Sequence, residues 1–266
     1  MTITEFSNEF DITYNSIATN SAPAIDLYEK SVYLTRAQLE LVNNYFNPKG
    51  NKYGKGFEQD SKRRADLREL IRPYLSATIS TEFTEEQGIA EADSYFFRVP
   101  NDVYFIIQEK VEILEDDYCG DNNTKIYVNV KPITHDEYNL QKNNPFKQPD
   151  RSVVWRLDIY SIDSDDDFPG GSEPFGAKKL VELVSPVRLL KYKFRYIIYP
   201  SPIILTDLLA DYPYEDLSID GITSKQTCKL GENIHRTILN RAVEMAVADY
   251  KPKGLAPKIE LNKRNE

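Results

Sequence analysis

The chain has 266 residues, of which 41% are hydrophobic, and its formal net charge is −9 at pH 7. This length fits one large domain or two small ones, and the acidic balance argues against a protein that coats nucleic acid. No apolar run comes near the roughly 18 residues of a membrane-spanning helix, so no membrane contact is predicted.

Two helices are predicted at the N-terminal end, forming a helical hairpin over residues 1–46. The first residues are acidic and amphipathic, unlike a secretory signal. Five apolar residues at three- and four-residue spacing give the first helix one apolar stripe: Ile3, Phe6, Phe10, Tyr14 and Ile17. Pro23 marks the turn, because proline does not fit inside a helix. Thr35 and Gln38 match a capping box and predict where the second helix begins.

Residues 47–64 are predicted to form a basic loop that contains three glycines. No GK[ST] step follows the glycines, so the segment is not a P-loop. Its six cations are Lys49, Lys52, Lys55, Lys62, Arg63 and Arg64. Two interpretations stay open, a solvated loop without a partner and a contact with an acidic protein or with DNA phosphate.

A β-rich core is predicted over residues 73–231, beginning at Pro73. Alternating apolar residues indicate strands at 103–107, 126–130 and 153–159, and the segments KLVELV and LLKYKFRYIIY add two more. Thr134 and Glu137 match a capping box for a short helix that Pro145 ends. Because few long helices separate these strands, we expect a mixed or largely antiparallel sheet in an α+β fold.

The strand at 189–199 combines a cationic face with an aromatic face. Its cations are Lys191, Lys193 and Arg195, and they alternate with Tyr192, Phe194 and Tyr196. Alternate residues of a strand point to opposite faces, whereas a surface that stacks bases needs aromatics and cations together. The pattern therefore predicts a half-buried strand whose basic outer face could contact an acidic neighbour or DNA.

An amphipathic helix is predicted over residues 232–250. Its apolar face consists of Ile234, Ile238, Ala242, Val243, Ala246 and Val247. Arg236, Asn240 and Glu244 are expected to lie away from that face. Pro252 and Gly254 end the helix, and residues 255–266 are predicted to form an extended tail. We expect residues 1–254 to make a single domain.

No catalytic, cofactor or metal site is predicted, so the chain is not expected to be an enzyme. His135 and His235 have no nucleophile or orienting carboxylate at a matching spacing. The acidic run at 163–167 lacks the loop glycine and the final glutamate of an EF-hand. A hydrolase would require this run and a histidine to meet in one pocket. Cys119 and Cys228 are isolated, which predicts reduced thiols.

Several segments of the sequence resemble virion proteins of crAss-like bacteriophages. They are EFDITYNSI, YEKSVYLTRAQLELV, NYFNPKG, ITHDEYNLQKNNPFKQP, LLKYKFRYIIYPSPIIL and TCKLGENIHRTILNRAVEMAVADY. In order and spacing the chain is similar to the ring-forming head–tail connector proteins below the portal. It departs from them at Tyr199-Pro200-Ser201-Pro202, where a more basic residue is expected before the prolines.

The resemblance implies a structural protein of the virion neck, made in the bacterial host cytoplasm, without enzymatic activity or a cofactor. It implies a cyclic homo-oligomer, specifically a homododecamer, that joins the portal to the tail. The partners would be the portal protein, other connector or tail proteins and, transiently, the genomic DNA in the channel. The main alternative is a module that binds nucleic acid or an acidic partner through the basic loop at 49–64.

Overall fold

The computed structural model describes residues 1–17, 23–46, 57–76, 88–90, 93–115, 124–162, 178–213 and 216–250. The chain divides into two compact units, one made of Met1–Leu70 with Pro200–Glu266 and one made of Ile71–Tyr199. The single domain over 1–254 stays a prediction. Several predicted features lie outside the described residues: Lys49, Lys52, Lys55, Cys119, the acidic run at 163–167, Pro252, Gly254 and the tail.

The predicted α+β class is confirmed. The helices of the described chain are α1 (Ile3–Ile17), α2 (Leu27–Phe46), α3 (Ser61–Leu67), α4 (His135–Gln141), α5 (Leu208–Asp211) and α6 (Glu232–Tyr250). The strands are β1 (Ile71–Ser76), β2 (Ser94–Val99), β3 (Val103–Glu115), β4 (Thr124–Pro132), β5 (Val153–Ile162), β6 (Lys178–Val184) and β7 (Leu189–Ile198).

Apolar helix faces form the core of the first unit, where α1 and α2 each pack against α6. From the predicted stripe of α1, Phe6, Phe10 and Tyr14 are buried. All six predicted apolar residues of α6 are buried as well. Of the residues predicted to lie away from this face, Arg236 and Asn240 are exposed, whereas Glu244 is only 8% exposed and accepts a hydrogen bond from Arg241.

The capping box predicted at Thr35 and Gln38 is wrong, because α2 begins earlier. Thr35 lies inside α2, where its hydroxyl donates to the carbonyl of Ser31 at 2.8 Å, a common choice for threonine within a helix. The helix instead begins after Asp26, whose N–H donates to the Glu29 carboxylate at 3.2 Å. Thr35 and Gln38 serve a tertiary contact, since the Gln38 amide donates to the carbonyl of Ser201.

The second unit is a seven-stranded sheet with the order β1-β7-β3-β4-β5-β6-β2. The pair β4–β5 is parallel and the other pairs are antiparallel, which confirms the predicted mixed sheet. The edge strands β1 and β2 also contact each other, so the sheet curls. Pro73 lies within β1, where an edge strand tolerates a proline.

One face of the curled sheet carries the main core of this unit. Its buried residues include Phe97, Val111, Ile113, Val128, Val154, Leu183, Tyr192 and Phe194. A smaller cluster joins Tyr138 of α4 to Trp155, Leu157 and Val184. The capping box predicted for α4 is confirmed, with Thr134 and Glu137 bonded to each other's backbone N–H.

Candidate functional site

The strand β7 carries the cations that the sequence singled out. Its three alternating aromatics, Tyr192, Phe194 and Tyr196, are buried. Lys193 and Arg195 are exposed, and Lys191 is half-buried. The prediction that aromatics and cations occupy opposite faces is therefore confirmed.

Strand pairing enlarges the basic face of β7. Lys110 of β3 lies directly opposite Lys193, and Leu75 of β1 lies opposite Lys193 on the other side. Residues directly opposite on antiparallel strands share a face and lie close enough to interact. We define the basic sheet face as Leu75, Lys110, Tyr127, Lys191, Lys193 and Arg195. The sequence prediction missed Lys110, because its place beside Lys193 depends on which strands pair.

Three cations of the basic sheet face have no ion-pair partner within the part of the chain that the structure describes. Lys110, Lys193 and Arg195 form no ion pair with any other residue that the structure describes. Like charges directly opposite each other on a sheet are destabilising. Leu75 and Tyr127 are 50% and 51% exposed, so apolar surface accompanies the charge. This combination suits a surface that meets an anionic partner.

Glu112 is the one acid at this part of the described sheet, opposite both Lys191 and Tyr127. It is only 4% exposed. The Tyr127 hydroxyl donates to it at 2.9 Å, and Lys125 Nζ lies 3.8 Å from its other oxygen. The hydrogen bond to Glu112 raises the pKa of Tyr127. The contacts of this carboxylate are therefore with Tyr127 and Lys125, and none is made with Lys110, Lys193 or Arg195.

The cations at 62–64 lie on a helix, which corrects the loop prediction for this end of the basic segment. Lys62, Arg63 and Arg64 belong to α3, whose N-cap Asp60 accepts from the Lys62 N–H at 2.9 Å. Arg63 is only 8% exposed, and its guanidinium lies 5.2 Å from the ring centre of Tyr45. Lys62 and Arg64 are exposed, so these two keep the surface position that a partner contact needs.

His235 has a structural environment. It is 4% exposed, and its Nε2 lies 2.9 Å from the carbonyl of Leu230. Because a carbonyl only accepts, Nε2 carries the proton, and Nδ1 accepts from the amino group of Met1 at 2.8 Å. Burial lowers the pKa of His235. The ring is therefore held neutral between two fixed partners, whereas His135 lies exposed at the start of α4.

The described chain contains no group of three or more His, Cys, Asp or Glu residues that could hold a metal ion. Cys228 donates to the Gln38 side chain at 3.3 Å. Burial raises the pKa of Cys228 to about 11, so its thiol stays protonated and unreactive at neutral pH. Among the described helices, none combines the length and apolar character required to cross a membrane.

A buried ion pair inside the sheet escaped the sequence prediction. Arg156 Nη1 donates to Glu109 Oε1 at 2.6 Å, and the Tyr192 hydroxyl donates to Glu109 Oε2 at 2.6 Å. Burial raises the pKa of Glu109, and burial beside that carboxylate raises the pKa of Tyr192 well above its usual value. The three side chains link β5, β3 and β7. The ion pair and the hydrogen bond therefore hold these three strands together and have a structural role.

Comparison with known proteins assigns this fold to a phage family. The model of the family described as "Phage tail ring protein 3/4" matches residues 1–256. "Ring protein 4/5" of Bacteroides phage crAss001 is 36% identical over 271 residues, covering 100% of both chains. "Ring protein 3" of the same phage is 36% identical over 247 residues, covering 93% of this chain and 95% of the relative. The resemblance found in the sequence is confirmed: the chain belongs to the phage tail ring protein 3/4 family of crAss-like phages.

Proposed function

We propose that this chain is a non-enzymatic structural protein of the virion that assembles into a cyclic homododecamer. The ring lies in the phage neck, connects the portal to the tail and surrounds the channel through which the DNA leaves. Its neighbours are the portal protein and other connector or tail proteins.

One observation carries this proposal: the similarity to two ring proteins extends over almost the whole chain. A shared module within unrelated proteins would give a match over one part only. The composition supports assembly as well, because the 18 tyrosines offer apolar bodies with polar tips for surfaces that become buried between subunits. A ring subunit binds its neighbours through two different surfaces repeated around an axis.

Electron cryo-microscopy of whole virions tests the location and the copy number. We expect density for this chain in a closed ring at the portal vertex, with twelve-fold symmetry emerging without its being imposed. A chain dispersed over the capsid, or absent from purified virions, would contradict the proposal.

Binding to an anionic partner is the second candidate, favoured by the uncompensated Lys110 beside Lys193. Within the ring we propose transient contact with the passing DNA. Each contact must be weak, because phosphate contacts multiplied over many subunits would trap the genome. The overall net charge of −9 is consistent with this requirement.

Fluorescence anisotropy with a short DNA duplex at several salt concentrations tests this contact. We expect a smaller salt dependence when Lys110, Lys193 and Arg195 are replaced by glutamine. The slope of the logarithm of the binding constant against the logarithm of the salt concentration should decrease in magnitude by about 0.9 for each phosphate that the variant no longer neutralises. Lys225→Gln, which removes an exposed cation from the other unit, is the matched control. If the wild-type chain binds no DNA at low salt, the DNA contact is excluded and an acidic protein becomes the candidate.

A further inference from the structure

A cleft of about 320 Å³ lies in the second unit of the chain, beside Phe146. This volume is at the lower end of the range for ligand pockets, so the cleft has room for one side chain of a partner. Phe146 is 95% exposed and Trp155 is 1% exposed, so the lining combines an exposed aromatic with a buried one. We define the Phe146 cleft by its lining residues, which are Lys131, Gln141, Phe146, Lys147, Gln148, Asp150, Val153 and Trp155.

Hydrogen-bonded turns hold the lining of the cleft in place. The Asn144 side chain accepts from the Phe146 N–H at 3.0 Å. The Asp150 carboxylate accepts from the Ser152 N–H at 2.7 Å and from the Val153 N–H at 2.9 Å. Such preorganisation lowers the entropy cost of binding. These bonds also engage Asp150, the one acid of the lining, with its own turn.

The cleft carries two cations, Lys131 and Lys147, and both are exposed. Neither forms an ion pair with any other residue in the part of the chain that the structure describes. An apolar cleft with cations in its lining complements a partner that presents an apolar side chain next to carboxylates.

Strand register joins the Phe146 cleft to the basic sheet face. Val153 of the cleft lies opposite Asn129 of β4, and Asn129 lies opposite Lys110 of β3. Lys110 in turn lies opposite Lys193 of β7. Residues opposite each other on adjacent strands share a face, so these cations and the cleft lie on one surface. Because strands are about 4.8 Å apart, the row from Lys193 to Val153 is about 14 Å long, which an extended segment of about five residues would cover.

The sequence itself contains a segment of the complementary chemistry, in the connection between β5 and β6. Four of its residues are carboxylates within a stretch of five, and an aromatic residue follows directly: Asp163, Asp165, Asp166, Asp167 and Phe168. No other five consecutive residues of the sequence include four carboxylates. This segment therefore offers the strongest local negative charge of the chain together with one large apolar side chain.

Chain length decides which copy can supply the segment. Ile162, the last residue of β5, follows Val153 by nine residues, which at about 3.3 Å per residue places it about 30 Å from the cleft residue Val153. Phe168 follows Ile162 by six residues, and six residues span at most about 20 Å. Phe168 therefore falls short of Val153 in its own chain, and a second copy must provide it.

We propose that residues 163–168 of one copy bind the Phe146 cleft of the next copy in the ring. Phe168 enters the cleft, and the four aspartates before it lie along Lys147, Lys131 and Lys110. The cleft and the segment are then the two different surfaces by which a ring subunit binds its neighbours. The contact also keeps DNA binding weak, because carboxylates occupy part of the same basic surface. This inference rests on the proposed ring function.

Charge exchange tests the pairing in virions assembled during infection. Lys131→Glu with Lys147→Glu should reduce incorporation of the chain about tenfold or more, because like charges then face each other. Adding Asp165→Lys and Asp166→Lys to the same chain should restore incorporation. Lys225→Glu with Lys229→Glu, at two exposed positions of the other unit, is the matched control. Incorporation of the first variant at the control level, or a loss that the added lysines do not restore, would overturn the inference.

Photocrosslinking gives a second readout that needs no charge change. Gln148 lines the cleft and is exposed, so p-benzoylphenylalanine at this position should leave folding intact. After illumination of virions we expect a product of twice the chain mass, in which mass spectrometry finds residue 148 joined to residues 163–170 of another copy. A crosslink to another virion protein or to another segment, or no crosslink from virion-bound chain, would overturn the inference. Absence of the wild-type chain from virions would contradict the ring function instead.

Discussion

Among single residues, Arg156 and Glu109 impose the strongest constraint on the sheet, because both charges are removed from water. Their side chains are 9% and 7% exposed and meet at 2.6 Å. Desolvation of such a pair is costly, and removal of one partner leaves the other charge buried without compensation. Asp158 pairs with the same guanidinium at 3.1 Å, but its side chain is 72% exposed.

Glu109→Gln should therefore lower the free energy of unfolding by about 3–5 kcal/mol. Asp158→Asn removes a charge from the same arginine at the surface and should cost less than about 1 kcal/mol. Urea denaturation followed by tryptophan fluorescence measures both, since Trp155 is adjacent to Arg156 in β5. Equal losses in the two variants would show that Glu109 is not the essential partner.

The neutral state of His235 predicts a pH dependence of stability. Burial lowers its pKa below the ordinary value of 6.5, so the folded chain binds fewer protons than the unfolded chain in this range. The contribution of neutral His235 to the free energy of unfolding is complete above about pH 6.5. It is lost as the pH falls through the pKa that His235 has in the folded chain. His235→Gln should flatten the curve of melting temperature against pH between about 7 and 5. His135→Gln, at an exposed position on α4, is the control and should keep the wild-type curve.

Among the elements, β7 shows a conflict between stability and the proposed contact. Lys193 lies opposite Lys110, and a like-charge pair on adjacent strands destabilises a sheet. Lys193→Glu should raise the free energy of unfolding by about 0.2–1 kcal/mol, while weakening binding to duplex DNA or heparin. Lys225→Glu makes the same charge change at an exposed position of the other unit. If Lys193→Glu instead lowers the free energy of unfolding and leaves binding unchanged, both the repulsion between Lys193 and Lys110 and the proposed contact with DNA are contradicted.

The sequence predicts elements whose signals are local. The two faces of β7 follow from alternation alone, and so does the buried stripe of α6. The strand β2 escaped prediction because Phe96 and Phe97 are both buried, and a strand covered on both faces has no alternation to detect.

Features that depend on distant partners could not be predicted. The position of Lys110 beside Lys193 and the pairing of Arg156 with Glu109 require knowledge of strand order. The incorrect capping box at Thr35 also reflects a distant partner. The Thr35 hydroxyl accepts from the Ile203 N–H at 3.1 Å, a tertiary contact that cannot be distinguished in the sequence from the cap of a helix. The 95% exposure of Phe146 also left no sequence signal, because nothing in its neighbourhood separates it from a residue of an ordinary turn.

At the scale of the whole molecule, the second unit is one continuous piece of chain, Ile71–Tyr199, whereas the first is assembled from two pieces. The ends of the second unit lie side by side, since Ile71 pairs with Ile197 across β1 and β7. Its core cluster and its buried ion pair lie within these bounds. An isolated fragment of residues 71–199 should therefore fold and unfold cooperatively in calorimetry.

A longer fragment of residues 71–231 provides the matched comparison, since it ends where the predicted β-rich core ends. Its added segment carries Ile204 and Leu208, which cluster with Tyr28 and Val32 of α2. The backbone N–H of Leu205 in this segment donates to the Ser31 hydroxyl at 3.0 Å. Without α2 this segment exposes apolar surface, so the longer fragment should bind a hydrophobic dye more strongly and unfold at no higher temperature than 71–199. If only the longer fragment folds, residues 200–231 complete the sheet unit, which would favour the single domain predicted over 1–254.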